Sequence, residues 1–201
     1  MNADILARYA VLALPRYTSY PTAPHFKTAE NGLYRQWLAG MPEDCEASLY
    51  LHVPFCRSMC WYCGCHTTIT ARDEPIARYL AALWAEIALV SETLPAKLAP
   101  RLTHLGGGTP TLMRPEQFAA LMAHLRSRFA VAEDAEIAIE IDPRTLEPEM
   151  VEALGEGGVT RASLGVQSFD PLVQKAINRV QSYAQTETGV TALRAAGVAG
   201  I

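Results

Sequence analysis

Ser48-Leu-Tyr-Leu-His-Val-Pro-Phe55, followed by Cys56-Arg-Ser-Met-Cys60-Trp-Tyr-Cys63-Gly-Cys65 and then by Pro75 to Thr93, is the stretch on which the fold turns. The first segment is short, rich in β-formers and closed by a proline, which reads as a strand. In the third, Ile76, Tyr79, Leu80, Leu83, Ile87 and Val90 fall on one face of a helix. Between them lies a loop dense in cysteine. The same alternation repeats downstream. Arg101 to Leu105 is a second strand running into Gly106-Gly-Gly108, and Pro115 opens a helix that turns Phe118, Leu121, Met122, Leu125 and Phe129 inward. Glu136 to Asp142 is a third strand, closed by Pro143 and followed by a helix over 148–154; Arg161 to Gln167 is a fourth. Helical stretches near 171–178 and 183–196 precede Gly197-Val-Ala-Gly-Ile201, the approach to a fifth strand. Strands regularly separated by helices imply an α/β fold with a parallel sheet and right-handed crossovers, barrel-type or doubly wound. Either arrangement gathers ligands at the carboxyl ends of the strands.

Composition narrows the functional classes. A chain of 201 residues, 50% hydrophobic and 19% charged, can bury one sizeable core. Its formal charge of −4 comes from interspersed acids and bases with no basic block, so no nucleic-acid partner is expected. The apolar patch over 10–14 is stopped by Pro15, too short for a signal-peptide core, and no stretch approaches the roughly 18 apolar residues of a membrane span. The expectation is a soluble, cytoplasmic protein with no membrane partner.

Five cysteines are present, four of them within ten residues. In a reducing compartment such a loop points to a metal or cluster site, because bridged frameworks spread their cysteines through the chain. Cys56, Cys60 and Cys63 form a C-x3-C-x2-C run directly after the first strand, where the site of a barrel would sit. Three thiolates on a four-iron cluster leave one iron open to chelate the amino and carboxylate groups of a ligand. Cys65 supplies a fourth thiol, so a closed tetrahedral zinc site stands as the rival reading. The crowding of all four on one loop disfavours it, since structural zinc pairs are separated by a longer stretch. Cys45, without a metal-like partner nearby, reads as an incidental or buried thiol.

Gly106-Gly-Gly-Thr-Pro110 follows the second strand. Glycines there let a ligand approach the backbone and leave amide N–H groups free to bind it, although a plain tight turn fits the same residues. Alternation on the third strand puts Glu140 opposite Ile137, Ile139 and Ile141, near the carboxyl end, and alternation on the fourth puts Gln167 there too. Both need polar partners if buried. His25, His104 and His124 are scattered, with no adjacent carboxylate or cysteine at ligand spacing, and read as packing or surface residues; His52 can reach the site, although a satisfied core histidine fits it equally well, and His66 adjoins the cysteine loop without an assigned role.

Several of these motifs together resemble the oxygen-independent coproporphyrinogen III oxidases of the radical S-adenosylmethionine (SAM) superfamily. They are Pro15-Arg-Tyr-Thr-Ser-Tyr-Pro-Thr22, Tyr50-Leu-His-Val-Pro-Phe-Cys56, the cysteine run ending Cys63-Gly-Cys65, Gly106-Gly-Gly-Thr-Pro110, and Gly165-Val-Gln-Ser-Phe-Asp170 with the helix up to Arg179. The resemblance implies a radical SAM partial (β/α) barrel, of which the sequence supplies about four βα units out of six. Residues 1–47 would be an N-terminal extension and 48–201 the barrel core, without the later strands and C-terminal domain.

It further implies that Cys56, Cys60 and Cys63 hold a [4Fe-4S] cluster, and that Tyr50, Tyr62, Gly107, Gly108, Thr109, Glu140, Gln167 and Arg179 bind SAM, two molecules in the family. Cys65 is implied to be needed for activity without ligating the cluster. The implied reaction is oxidative decarboxylation of two propionates of a tetrapyrrole by a SAM-derived radical, with an electron donor and acceptor as partners, in a typically monomeric protein. A fragment lacking the later strands is expected to assemble a cluster and turn over poorly or not at all. A related haem-chaperone family shares much of this core but has Cys-Asp-Phe where this chain has Cys63-Gly64-Cys65.

Overall fold

The computed structural model describes residues 21–201, so most of the 15–22 motif lies outside the described residues. The chain divides into two units between Gln36 and Trp37. In the first, a 3-10 turn at Ala23–His25 is closed by the His25 amide on the Thr22 carbonyl at 2.8 Å. A short helix, α1 (Leu33–Ala39), spans the division.

The second unit is built on four parallel strands, β1 (Ala47–Val53), β4 (Pro100–Gly107), β5 (Glu136–Ile141) and β6 (Arg161–Leu164), adjacent in that order. Two short strands, β2 (Phe55–Cys56) and β3 (Thr68–Ile69), form a separate parallel pair. Parallel neighbours require crossovers. Helices α2 (Glu74–Thr93), α3 (Pro115–Arg128) and α4 (Pro148–Glu156) supply them, followed by α5 (Pro171–Ala176) and α6 (Tyr183–Ala195). Each of α2 to α5 carries a proline in its first turn, where the missing N–H has no intrahelical partner to lose. Asp170 caps α5 by accepting the Leu172 and Val173 amides, and Ser182 with Gln185 forms a capping box on α6.

Register explains the core. Leu51 pairs with Leu105, Leu105 with Ile139 and Ile139 with Ala162, so one apolar row crosses all four strands. Ile76, Leu80, Leu83 and Ile87 of α2 and Phe118, Leu121, Met122 and Leu125 of α3 join these residues in one cluster of buried side chains. Burying each of the larger ones stabilises the fold by about 1.5–3 kcal/mol before chain entropy is counted. Cys45 is half-buried and packs against this cluster, as its lack of partners in the sequence suggested.

Two readings from the sequence need correction. The fourth strand ends at Leu164, not Gln167: the Val166 amide turns back to the Leu164 carbonyl, Ser168 does the same to Val166, and Gln167 has φ +64°. Strand alternation therefore does not orient Gln167; a left-handed turn does. The run from the first strand into the cysteines is also interrupted at Pro54, beyond which Phe55 and Cys56 belong to the small sheet. The fifth-strand approach is present, with Gly200 bridged in parallel to Arg161.

Candidate functional site

At the carboxyl ends of β4, β5 and β6 lies an open cavity of about 280 Å³. The cysteine loop brings Cys56, Cys60, Tyr62, Cys63 and Cys65 to its wall; the glycine run brings Gly107, Gly108 and Thr109; β5, the loop after β6 and the turn after α5 bring Glu140, Gln167 and Arg179. Eleven of the twelve residues singled out from the sequence thus meet around one space. Tyr50 is not among the lining residues. It stands half-exposed on β1, its hydroxyl 3.0 Å from His52 Nδ1 and its ring stacked on His104.

The cysteine loop is pinned at its neck and across its tip. At the neck, the Thr68 and Thr70 amides donate to the Pro54 and Cys56 carbonyls at 2.7 and 3.0 Å. Arg57 closes the base through Asp73 and the Thr70 carbonyl. At the tip, the turn after α5 reaches over: the Trp61 amide donates to the Ile177 carbonyl at 3.0 Å, and Asn178 Nδ2 donates to the Met59 carbonyl at 2.8 Å.

Glycine is required beside the loop. The Gly108 and Thr109 amides donate to the Val53 and Phe55 carbonyls, drawing the glycine run against the strand that leads into Cys56. Gly107 has φ +107°, and a Cβ on it would lie 2.5 Å from the His52 ring; one on Gly108 would lie 2.5 Å from the Phe55 carbonyl oxygen. Only glycine fits such a conformation and approach. The Gly107 amide donates to Glu140 Oε2 at 3.0 Å, so the carboxylate at the end of β5 holds the run in place.

The three sulfurs differ in their surroundings. Cys56 Sγ accepts from the hydroxyls of Thr67 and Thr109 at 3.5 and 3.4 Å. Cys60 Sγ accepts from Arg179 Nη1 at 3.2 Å and Arg144 Nη2 at 3.6 Å. Burial, the neighbouring Cys63 and the nearby Glu140 charge push the Cys65 thiol up. Burial raises the Tyr50 and Tyr62 hydroxyls too, the first with help from Glu140, the second against the pull of Arg179.

Asp142 and Arg144 were not singled out from the sequence, and neither was Asn178. Asp142 is buried, accepts from Arg144 Nε and Nη2 at 2.9 and 2.6 Å, and forms an ion pair with Arg179 Nη2 at 3.1 Å. Burial works to raise its carboxyl, but the Arg144 hydrogen bonds and the Arg179 charge outweigh burial and hold it below the ordinary carboxylate value. The signal was available in part, since Asp142-Pro-Arg144 lies just beyond Glu140 in the chain. His104 likewise gains a carboxylate, Glu140 Oε1 at 3.4 Å, from the neighbouring strand and not from its own segment, which corrects its reading as a packing residue.

A parallel α/β core with three closely spaced cysteines facing a glycine run at the strand ends defines a radical SAM protein. The family model described as the radical SAM superfamily matches residues 50–200, and the chain belongs to that superfamily. Among curated relatives it is similar to the oxygen-independent coproporphyrinogen III oxidase of Bradyrhizobium diazoefficiens, 59% identical over 100% of this chain and 45% of the relative. It is also similar to that of Pseudomonas aeruginosa, 42% identical over 96% of this chain and 43% of the relative. Among solved structures, the coproporphyrinogen III oxidase of Escherichia coli, described as a radical SAM enzyme, superposes with a TM-score of 0.81 at 36% identity, over 96% of this chain and 43% of that one. The chain therefore spans less than half the length of these relatives.

The superfamily implies a [4Fe-4S] cluster and SAM, and the donor set fits them. The sulfurs of Cys56, Cys60 and Cys63 sit on one wall, two of them already accepting polar donors, as metal-bound thiolates with lone pairs to spare do. Among the described residues, no group of three His, Cys, Asp or Glu side chains gathers as tightly as a single metal ion requires, and a cluster does not ask for that, because each thiolate binds a different iron. No helix among the described residues is long and apolar enough to cross a membrane.

Proposed function

We propose that this chain is the SAM-binding, cluster-bearing part of an oxygen-independent coproporphyrinogen III oxidase, an oxidoreductase that decarboxylates two propionate groups of its tetrapyrrole substrate to vinyl groups. The observation that carries the reading is the meeting of Cys56, Cys60 and Cys63 with Gly107, Gly108, Thr109, Glu140, Gln167 and Arg179 around one cavity. The likeness to relatives named for this activity supports the choice of substrate.

The three cysteines would hold the cluster and leave one iron open. When bound, the cluster supplies the electron that cleaves SAM and so the 5′-deoxyadenosyl radical that removes hydrogen from a propionate β-carbon. This chain's residues bind and orient. Glu140, whose Oε2 already accepts the Gly107 amide, is suited to receive an ammonium group as well, and the glycine run lets that end of SAM lie against backbone. Tyr62 offers a ring at the mouth for the adenine, Gln167 offers its amide, and Tyr50 stands beside the site through His52. Two SAM molecules, an electron donor and an acceptor complete the reading, with Cys65 as a further catalytic residue. Residues 48–201 form the barrel core and 1–47 its N-terminal extension.

The test is anaerobic reconstitution of the chain with iron and sulfide, then electron paramagnetic resonance of the reduced protein with and without SAM. A four-iron signal that shifts when SAM is added is the expected result. A colourless protein that retains one zinc overturns the reading.

A further inference from the structure

Asp142 organises charge around one sulfur of the three. Its carboxylate lies at the end of β5, nine-tenths buried, and binds two guanidiniums at once: Arg144 through Nε and Nη2, and Arg179 through Nη2. Each guanidinium then turns one remaining N–H to the same atom, Cys60 Sγ, at 3.6 Å from Arg144 and 3.2 Å from Arg179. Arg179 is further fixed by its Nε donating to the Gly165 carbonyl at 2.7 Å. The Arg179 side chain is buried, 8% exposed, and that of Arg144 is largely covered, 16% exposed, so little solvent screens them.

The other sulfurs differ. Cys56 receives two neutral hydroxyls, whereas Cys60 receives two charge-assisted donors. Hydrogen bonds from a charged group are roughly twice as strong as neutral ones, and the reduction potential of an iron–sulfur cluster follows the charge and hydrogen bonding at its sulfurs. Adding an electron adds negative charge at the sulfurs, which nearby guanidiniums stabilise. Two positive groups against one carboxylate leave net positive charge on this side.

We propose that Arg144, aimed by Asp142, is a positioning residue for the cluster: by donating to the Cys60 sulfur together with Arg179 it raises the cluster's reduction potential. The inference rests on the cluster reading above. If Arg144 served only to satisfy Asp142, its replacement would alter stability and leave the potential unchanged.

The measurement is a redox titration, followed by electron paramagnetic resonance, of the reconstituted full chain and of Arg144→Gln and Arg144→Lys. In Arg144→Gln the ratio of reduced to oxidised cluster at a fixed poise is expected to fall about tenfold, a shift of about 59 mV for a one-electron couple, with Arg144→Lys in between. Arg101→Gln serves as the control; its side chain is exposed at the opposite end of β4, paired with Glu46, and its replacement is expected to leave the potential in place. Unchanged potentials in both Arg144 variants at full iron content overturn the proposal and leave the cluster reading standing. Failure of the unmodified chain to hold a cluster overturns both. Should Arg144→Gln lose its cluster, Arg144→Lys decides: a lowered potential supports the proposal and an unmoved one overturns it.

Discussion

Asn178 donates its side-chain amide to the Met59 carbonyl at 2.8 Å, joining the turn after α5 to the tip of the cysteine loop across 119 positions of sequence. Its backbone is left-handed, φ +54°, a conformation that asparagine tolerates and alanine does not. With the Trp61 amide on the Ile177 carbonyl, it holds the loop that carries Cys56, Cys60 and Cys63.

Replacing Asn178 separates its two roles. Asn178→Ala is expected to cost about 2 kcal/mol, part from the left-handed backbone and part from the lost hydrogen bond, and Asn178→Gly about 1 kcal/mol or less, because glycine keeps the backbone and loses only the bond. Urea unfolding measures the cost. Amide exchange at Trp61 should quicken in both variants, and equal protection to the parent would show that the turn does not hold the loop.

Gly107→Ala places a methyl group against the His52 ring at a positive φ. The strain displaces the amide that Glu140 accepts, and SAM affinity is expected to fall at least tenfold, or about 1.4 kcal/mol. Equilibrium dialysis with labelled SAM on the reconstituted protein checks this. An unchanged affinity would remove the glycine run from the binding site.

Asp142→Ala leaves the buried Arg179 guanidinium and the partly buried Arg144 guanidinium without their anion. Breaking such a pair typically costs about 3–5 kcal/mol. The pH dependence has a definite sign. A carboxyl held below its ordinary value of about 3.9 contributes stability in full above that value, and the contribution is lost as pH falls through the folded-state value. The parent should therefore lose stability as pH falls below about 4, and Asp142→Asn should show a shallower decline in thermal unfolding across the same range.

Cys56→Ser, Cys60→Ser and Cys63→Ser are each expected to abolish the iron–sulfur absorbance, while Cys65→Ser retains it. Iron and sulfide content per chain gives the answer. Loss of the cluster in Cys65→Ser would make that thiol a ligand.

The legible part of the fold was what period and punctuation encode. Helical spacing marked the buried face of α2 at Ile76, Leu80, Leu83 and Ile87, and Pro115 marked the first turn of α3. Glu140 was legible because the strand period is two and β5 runs unbroken past it. Gln167 was legible as a cavity residue for a mistaken reason, since β6 ends three residues earlier and a left-handed turn carries the side chain on.

Sequence alone determined the parallel α/β order, the cysteine spacing and the glycine run, because each is a local pattern whose meaning depends on near neighbours along the chain. The tertiary structure decided what meets whom. Asp142 between Arg144 and Arg179, both guanidiniums on Cys60, His104 beside Glu140, and Asn178 on Met59 join segments as far as 119 residues apart. Such pairings have no period to read: they follow from the register of parallel strands and from turns that bring their ends together, and they exist only once the apolar row from Leu51 to Ala162 has closed.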